Sequence, residues 1–440
     1  MWRHPGVALA SILVATAAQR ATAQEWVVDW GATARAEYSD NYFFTATDKQ
    51  SATTGTVTPF VTAARRTETS EVASVVAVGY NKVWGPDVDY GSGRAALNAS
   101  LLAERSLWTG NASFVRSASL QNTASPTGTV FALAFTNATS VNGGYSYAVT
   151  ENWSAGATAG GYANTYSAVQ GNGMFSNDQG YYVSGTAAYT SSERTRFTLN
   201  AGYSYFKSST DHADNVQLTI GAAHQFSPQL TLSASAGAFW NDTRTSQTDL
   251  VPASTVRNTG GLYGGSLSYA LSEKAQLAID VAENLSPSGV GTLTKNDTAS
   301  VSLAYRFSER LTGRVAASYL RTSSVGAQVN SYTNKDIQGA AGISYNLAER
   351  WKLEGGYVYH HARYSQNSSE PSSNLVFVSL GYNWPGASFT PWVAARAEVQ
   401  GLPGAGPVSL VGRSQLPLPT PALPEVPPEE ASPFDRYMIP

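Results

Sequence analysis

Between Lys295 and Leu353, apolar and polar residues alternate strictly with a period of two. In its first part, Ala299, Val301, Leu303, Tyr305 and Phe307 fall on one face, whereas Thr298, Ser300, Ser302, Ala304 and Arg306 fall on the other. A period of two is typical of a β-strand with one apolar and one polar face. A short turn, Ser308–Arg310, leads to a second segment with the same alternation, and a long polar loop follows it. The segment therefore predicts an antiparallel hairpin.

This hairpin unit repeats along the chain. Short turns are predicted at Thr67–Glu71, Glu104–Ser106, Thr150–Asn152, Ser192–Arg194, Ser227–Gln229, Ser272–Lys274, Ser308–Arg310 and Ala348–Arg350. Their spacing of roughly 40 residues fits two strands of ~10 residues, one short turn and one longer loop. Strands are predicted from about Trp26–Ser39 to Asn374–Trp384. The fold class predicted is all-β: a transmembrane antiparallel β-barrel of about 18 strands (16–20), spanning residues 24–384.

Composition agrees with a barrel. Only 13% of the residues are charged, compared with about 25% in an average soluble protein. Beyond the N-terminus, no window approaches the ~20 apolar residues of a helical span. The absence of cysteine excludes disulfides, cysteine zinc sites and thiol catalysis. A net charge of −3 gives no electrostatic basis for binding nucleic acid, and no cofactor or metal is expected.

The two ends of the chain differ from the barrel segment. Residues 1–23 have the features of a signal peptide: a positive start at Arg3, an apolar core, and a cleavage site with Ala21 and Ala23. Residues 385–440 are rich in proline, which cannot donate ladder hydrogen bonds, so an extended or disordered periplasmic tail is predicted. The tail either docks periplasmic export components or is simply solvated.

Barrels of this class keep short turns on the periplasmic side and long loops outside. The expected location is therefore the cell outer membrane, with both termini periplasmic and the outer wall in contact with lipid. Insertion by the outer-membrane barrel assembly machinery is expected as well.

The alternation also predicts which side chains face the lumen. The solute path is predicted to include Asp29, Arg35, Glu37, Arg94, Glu104, Asp280, Arg306, Arg314, Lys352 and Glu354. Rings of one sign would select ions, but both signs mix here, which favours a neutral or weakly charged glycan. The alternative is that these charges form salt bridges that hold the shape of the barrel. Aromatic residues such as Tyr162, Tyr166, Phe206 and Phe239 either stack on sugar rings or serve as packing and girdle residues.

A hydrolase is a further alternative. Asp211-His212-Ala213-Asp214 lies in a predicted outer loop and supplies an Asp–His pair suited to acid–base chemistry. No Gly-x-Ser-x-Gly elbow accompanies any histidine, and the loops lack EF-hand ligand spacing. The sequence thus favours a protein that is not an enzyme.

The step Glu37-Tyr38-Ser39-Asp40-Asn41 after the first strand, with the turns at Ser272, Ser308 and Ala348, resembles a known family. It is similar to outer-membrane β-barrel porins found beside exopolysaccharide-synthesis genes, the beta-barrel porin 2 type. The resemblance covers roughly residues 26–384 and implies export of an extracellular polysaccharide through a hydrated lumen. The proline-rich tail and the final Met438-Ile439-Pro440 depart from that family's pattern.

The residues themselves leave two other functions open. One is a general or sugar diffusion porin, which usually folds one long loop inward; Gln121–Thr139 is the best candidate for that loop. The other is a non-conducting outer-membrane scaffold.

Overall fold

The computed structural model describes most of the chain between Trp26 and Trp384. The described residues are 26–86, 88–120, 124–125, 128–129, 133–168, 176–209, 211–246, 254–287, 293–325, 333–365 and 368–384. Among them, no helix is long and apolar enough to cross a membrane. The predicted signal peptide and proline-rich tail lie outside the described residues.

Twenty strands form in this part of the chain. They are β1 (Val27–Ser39), β2 (Ala52–Arg66), β3 (Ser70–Trp84), β4 (Val88–Leu102), β5 (Ser106–Leu120), β6 (Ala124–Ser125), β7 (Gly128–Thr129), β8 (Leu133–Ala148), β9 (Trp153–Ala168), β10 (Asp178–Ser192), β11 (Thr195–Ser208), β12 (Asp211–Ser227), β13 (Leu230–Thr245), β14 (Ser254–Ser272), β15 (Ala275–Pro287), β16 (Leu293–Arg306), β17 (Leu311–Ser324), β18 (Thr333–Ala348), β19 (Trp351–Tyr364) and β20 (Ser372–Trp384). The two-residue strands β6 and β7 pair only with each other, and the other eighteen belong to one sheet.

The sheet closes on itself. Each long strand pairs antiparallel with its neighbours in the chain, and β1 pairs with both β2 and β20. At the closing seam Trp30 lies opposite Trp384, and Ser39 lies opposite Leu375. The prediction of an all-β antiparallel barrel of about 18 strands is confirmed, because eighteen strands form one sheet and β1 pairs with β20. The closed sheet has no free edge at this seam.

The barrel has two distinct ends. The short turns between even- and odd-numbered partners, such as Thr67–Thr69, gather at one end with Val27 and Trp384; we call it the turn end. The longer connections, such as Asp40–Ser51, gather at the opposite, loop end. Both termini of the barrel therefore lie on the same side.

Side chains alternate between the outer surface and the lumen as predicted. Val301, Leu303 and Tyr305 on β16 are exposed on the outer surface, with Val301 at 41% of its full accessibility. Ser302 and Ala304 between them are less exposed and point inward. Large apolar side chains continue this exposed band around the barrel. A contiguous apolar surface of this extent indicates contact with lipid.

Aromatic residues border the apolar band at the turn end. The rings of Trp30 and Trp384 are stacked with their centroids 5.9 Å apart. Further contacts join Trp108 to Tyr145 at 4.4 Å, Trp153 to Tyr189 at 4.8 Å and Trp351 to Tyr382 at 4.7 Å. Tryptophan and tyrosine favour the membrane–water interface because each combines an apolar ring with a polar group.

Strand β12 extends further than the sequence predicted. The segment Asp211–Asp214, predicted to lie in an outer loop, is strand, since β12 begins at Asp211. Its outward positions, His212 and Asp214, are polar, so the apolar–polar alternation that marks a half-buried strand is missing although the ladder continues. Strand β8 follows the short β6–β7 hairpin in the chain.

The facing assignment can be tested with two adjacent substitutions. Val301→Arg places a charge on the outer apolar surface, and we expect it to lower the free energy of unfolding by ~2–4 kcal/mol. Ser302→Arg points into the lumen and should cost far less. Urea titration of the barrel refolded into lipid vesicles measures both values. Equal losses for the two variants would contradict the assignment.

Candidate functional site: the lumen and its loop-end constriction

Small polar side chains cover much of the lumenal wall. Hydroxyl groups meet across neighbouring strands in the pairs Ser113–Ser140 (2.7 Å), Thr158–Ser184 (2.6 Å) and Ser233–Ser266 (2.6 Å). The Thr186 hydroxyl donates to Oδ1 of Asn200 at 2.7 Å. Such groups keep donors and acceptors available to water, so this wall suits a hydrated interior.

Most of the charged residues predicted for the lumen lie at inward positions. Arg35, Glu37, Arg94, Asp280, Arg314, Lys352 and Glu354 share the inward register on β1, β4, β15, β17 and β19. Asp29 is also inward and is buried close to the turn end. Two predictions fall elsewhere. Glu104 lies in the exposed turn between β4 and β5. Arg306, the last residue of β16, is exposed beside the β14–β15 turn and donates to the Glu273 carbonyl at 3.0 Å. Both lie at the edge of the lumen because their strands end there.

Two ion pairs neutralise one sector of the wall. Arg35 contacts Glu37 with Nε to Oε2 at 2.9 Å, and its guanidinium lies 4.0 Å from the centroid of the Phe377 ring. On β19, Lys352 contacts Glu354 at 2.9 Å. Each pair joins residues two positions apart on one strand, whose side chains share a face. These contacts agree with the interpretation that lumenal salt bridges support the wall.

Three inward arginines have no such partner. Arg94, Arg196 and Arg314 have no carboxylate within ion-pair distance among the described residues. Nε of Arg196 is buried without a hydrogen-bond acceptor. Four inward carboxylates of the described strands, Asp29, Asp178, Asp211 and Asp280, likewise have no ion pair. The inward charges without an ion pair on the described wall are therefore mixed in sign.

The β1–β2 loop folds inward at the loop end. Phe44 is buried to 7% exposure, and its ring stacks on the inward-facing His360 with centroids 4.0 Å apart and planes 6° apart. Ala362 and Tyr364 complete this cluster. Nε2 of His360 lies 2.6 Å from a carboxylate oxygen of Asp336. The loop is therefore fixed against the lumenal side of β18 and β19.

Tyr42 anchors the other side of the same loop. It packs in a buried cluster with Ala52 and Val83, and Tyr90 lies against this cluster. Burial raises the pKa of the Tyr42 hydroxyl above its usual range. The phenol consequently stays neutral and contributes apolar packing.

Asn41 connects the loop to the wall. Its amide nitrogen donates to the carbonyls of Thr45 at 2.7 Å and Ser372 at 2.8 Å, and its Oδ1 accepts from the Thr45 N–H at 3.0 Å. Asn41 is only 1% exposed. A buried amide with three partners fixes the loop in one conformation.

A second constriction faces the first from the other side. Ladder pairing between β14 and β15 ends at Gly264 and Ala282. From there to the loop end, the β15–β16 hairpin tip stays paired to β17 on one side but has no partner strand on the β14 side. The tip residues Leu285 and Leu293 belong to one buried cluster with Phe206, Ala213, Phe239 and Leu262. These last four are inward positions of β11–β14, so the tip covers the lumenal side of those strands.

This packing decides between two readings of the lumenal aromatics. Phe206 and Phe239 are buried in the apolar cluster, and Tyr162 packs against it. Their faces are covered by protein and unavailable to a sugar ring, which supports the packing alternative. Tyr166 also points inward, and its backbone N–H donates to Asn177 at 2.8 Å.

Sequence reasoning missed both constrictions. Its best candidate for an inward loop under the diffusion-porin alternative was Gln121–Thr139, most of which lies outside the described residues or in β8. The sequence of the β1–β2 loop did carry an indication of inward folding. Tyr42-Phe43-Phe44 places three aromatic residues in an otherwise polar connection. Aromatic residues there require a covered surface, which only the lumen offers.

The geometry does not support the hydrolase alternative. Asp211 and His212 are consecutive residues of β12, so their side chains point to opposite faces of the wall. His212 faces outward between Lys207 and Arg244, whereas Asp211 is buried on the lumenal side. Asp214 shares the outward face with His212, but its Oδ1 accepts from the Tyr203 hydroxyl at 2.6 Å, and no ion pair joins it to His212. Among the described residues, no group of three or more His, Cys, Asp or Glu side chains could hold a metal ion.

Comparisons with known proteins give similarity of shape alone. The chain resembles OpdK of Pseudomonas aeruginosa solved with vanillate (13% identity, 81% of this chain and 99% of that chain, TM-score 0.42). It also resembles P. aeruginosa OccK2 in complex with glucuronate (12%, 82% and 99%, 0.46) and OccAB4 of Acinetobacter baumannii (10%, 81% and 98%, 0.44). No protein-family model matches the sequence, and no curated protein matches it either. The assignment of the fold therefore rests on the strand pairing of this chain, and the resemblance to the exopolysaccharide-associated porins stays a prediction.

Proposed function

We propose that the chain is an outer-membrane channel through which small hydrated solutes diffuse. The observation that carries this proposal is a closed barrel with apolar side chains outside and hydroxyl groups inside. Eighteen strands enclose more space than side chains of this size fill, which leaves a water column. The outer surface matches the lipid contact expected from the sequence, and both ends of the barrel wall lie on the same side, as periplasmic termini require.

The loop end sets the size of the solutes. Phe44 and Tyr42 enter the lumen from the β1–β2 loop, and Leu285 and Leu293 cover the wall of β11–β14. Both features narrow the same end of the water column. A narrowed mouth favours small molecules over a polymer, because the narrowest point of a pore limits what passes.

Lumenal charge favours weak selectivity. The Arg35–Glu37 and Lys352–Glu354 pairs cancel locally. The other inward charges of the described strands include both signs, with Arg94, Arg196 and Arg314 on one side of the balance and Asp29, Asp178, Asp211 and Asp280 on the other. This mixture supports the passage of small solutes that are neutral or weakly charged.

Polysaccharide export is the second candidate function. It is favoured by the resemblance of Glu37–Asn41 to the exopolysaccharide-associated porins. Under this proposal, the β1–β2 loop would have to leave the lumen before a polymer could pass. Docking of periplasmic export components on residues 385–440, and insertion by the barrel assembly machinery, remain predictions.

The channel proposal is tested first by conductance. The wild-type barrel should give discrete current steps in planar bilayers. Phe44→Ala removes the ring that stacks on His360, and we expect single-channel conductance to rise on the order of twofold because the mouth widens.

Phe114→Ala is the matched control, since Phe114 is exposed on the outer surface and its loss should leave conductance unchanged. A wild-type barrel that inserts but never conducts, even after residues 401–440 are removed, would show that the proposal is wrong.

Charge selectivity gives a separate test. The double variant Arg94→Gln, Arg314→Gln removes two unpaired lumenal cations. The chloride-to-potassium permeability ratio, taken from the reversal potential in a salt gradient, should fall on the order of twofold. Arg257→Gln removes an outer-surface cation paired with Asp242 at 3.2 Å and should leave the ratio unchanged. An equal effect of both changes would refute lumenal charge as the cause.

The export candidate has a test of its own. A strain that lacks this chain should retain polymer inside the envelope if the barrel exports polysaccharide, and the purified glycan should block the conductance. Quantification of secreted polymer decides the matter. Normal secretion by the deletion strain would exclude the export role and leave the small-solute channel standing.

A further inference from the structure

Three cationic side chains lie directly opposite one another on the outer wall. Arg321 of β17 pairs in register with Lys335 of β18, which pairs in register with Arg363 of β19. We call these residues the basic row. All three are exposed. They share the outward register with Ile337 on β18, which is 48% exposed. Directly opposed residues place their Cβ atoms ~4.5–5.5 Å apart, and like charges at that separation destabilise a sheet.

Neighbouring carboxylates offset only part of this repulsion. Arg363 contacts Glu370 at 3.2 Å, which accounts for one cation. On the far side of Arg321, Asp297 of β16 is in direct register with it and attracts it, but the two form no ion pair. Arg321 and Lys335 thus have no carboxylate within ion-pair distance among the described residues. Two adjacent cations without an ion pair form a site that an anion would stabilise.

The basic row lies at the border of the apolar band. One outward step closer to the turn end, Tyr319 and Ile337 are in register, with His361 beside Ile337 on β19, and Tyr359 lies one outward step further. On the other side of the row, the strands enter the polar connections of the loop end. Tyrosine next to aliphatic residues is typical of the membrane interface. Arg321 and Lys335 therefore occupy the depth at which lipid headgroups lie.

A strip of small residues lies in the apolar band, separated from the basic row by the Tyr319–Ile337 level. Ala317 lies opposite Gly339, and Ala341 follows two residues later on β18. A Cβ atom built at Gly339 would meet no atom within 4 Å. Larger side chains border the strip, with Val301 on one side and Tyr359 on the other. The strip begins four residues from Lys335, or about 13 Å along the strand.

We propose that Arg321 and Lys335 bind the phosphate of a phosphorylated lipid in the outer leaflet, and that the Ala317–Gly339–Ala341 strip receives one of its acyl chains. The guanidinium fork and the ammonium group are the side chains that bind phosphate best. The small residues give an acyl chain a shallow groove between bulkier neighbours. This inference rests on the membrane placement in the proposed function and is independent of conduction.

The test measures lipid binding by native mass spectrometry of the full barrel in detergent. The probes are diphosphorylated lipid A and lipid A from which the phosphates have been removed. We expect the phosphorylated form to remain bound to the wild-type protein. Arg321→Gln with Lys335→Gln should weaken its binding about tenfold, because two charge-assisted contacts are lost. Gly339→Leu fills the strip without changing charge and should weaken binding as well.

The matched control is Lys82→Gln with Arg257→Gln. It removes the same net charge from outer residues that have their own carboxylate partners, Asp89 at 3.1 Å and Asp242 at 3.2 Å, and it should bind the lipid as the wild type does. Equal binding by the Arg321/Lys335 variant and the wild type would overturn the proposal. So would equal binding of the dephosphorylated lipid, or complete competition by inorganic phosphate at millimolar concentration, which would indicate a site for free phosphate.

Conductance separates this inference from the channel proposal. The Arg321/Lys335 variant should insert into bilayers and conduct as the wild type does, because both residues face away from the lumen. A wild-type barrel that binds the phosphorylated lipid but does not conduct would overturn the channel alone. A barrel that conducts but shows no preference for the phosphorylated lipid would overturn the lipid site alone.

Discussion

Backbone hydrogen bonding is the constraint on which this structure depends. Inside a bilayer, water cannot satisfy the N–H and C=O groups of a strand, and each unsatisfied group costs several kcal/mol. The chain meets this requirement by pairing β1 with β20, so that every long strand has two neighbours through the apolar band. Once the ladder is closed, the backbone imposes little on the identity of the side chains. The outer face needs only to be apolar, and the inner face is free to carry hydroxyl groups and charges.

The same constraint explains where the chain acquires individual features. Above the apolar band, water can satisfy the backbone, so strands are free to separate. The β14–β15 ladder ends at Gly264 and Ala282, and the β15–β16 tip turns its leucines to the lumenal cluster. Outward residues of β14 beyond that point include Thr255, Arg257 and Thr259, which are polar as expected for a region outside lipid. Both lumenal constrictions are therefore formed by segments that lie outside the hydrocarbon core of the bilayer.

Sequence predicted the parts of the fold that repeat. The alternation at Thr298–Phe307 predicted that the segment is a strand, which side chains share a face, and which face contacts lipid. A single period of two carries all three pieces of information. It could not identify the inward turn of the β1–β2 loop, since Phe44 finds His360 through tertiary contact across 316 positions of sequence that have no local signature. The positions of the lumenal charges were predictable from sequence, but their ion pairing was not. Alternation placed Arg314 and Lys352 correctly at inward positions, but which cations were neutralised depended on cross-strand register. Glu104 and Arg306 kept the right parity and yet lie at the edge, because alternation gives facing but not depth.

Register also explains why the outer surface is not uniform around the barrel. A closed ladder brings β17, β18 and β19 into one fixed alignment, so a single arginine or lysine on each strand becomes a row of three. A shift of one residue in β18 would turn Lys335 into the lumen and separate the cations. That shift is resisted by the apolar residues of the same strand, since Ile337 and Ile343 would leave the lipid face together with Lys335. The apolar residues that face lipid thus fix the register that brings the three cations together. The repulsion among the cations persists because keeping Ile337 and Ile343 in lipid stabilises the sheet more than separating the charges would.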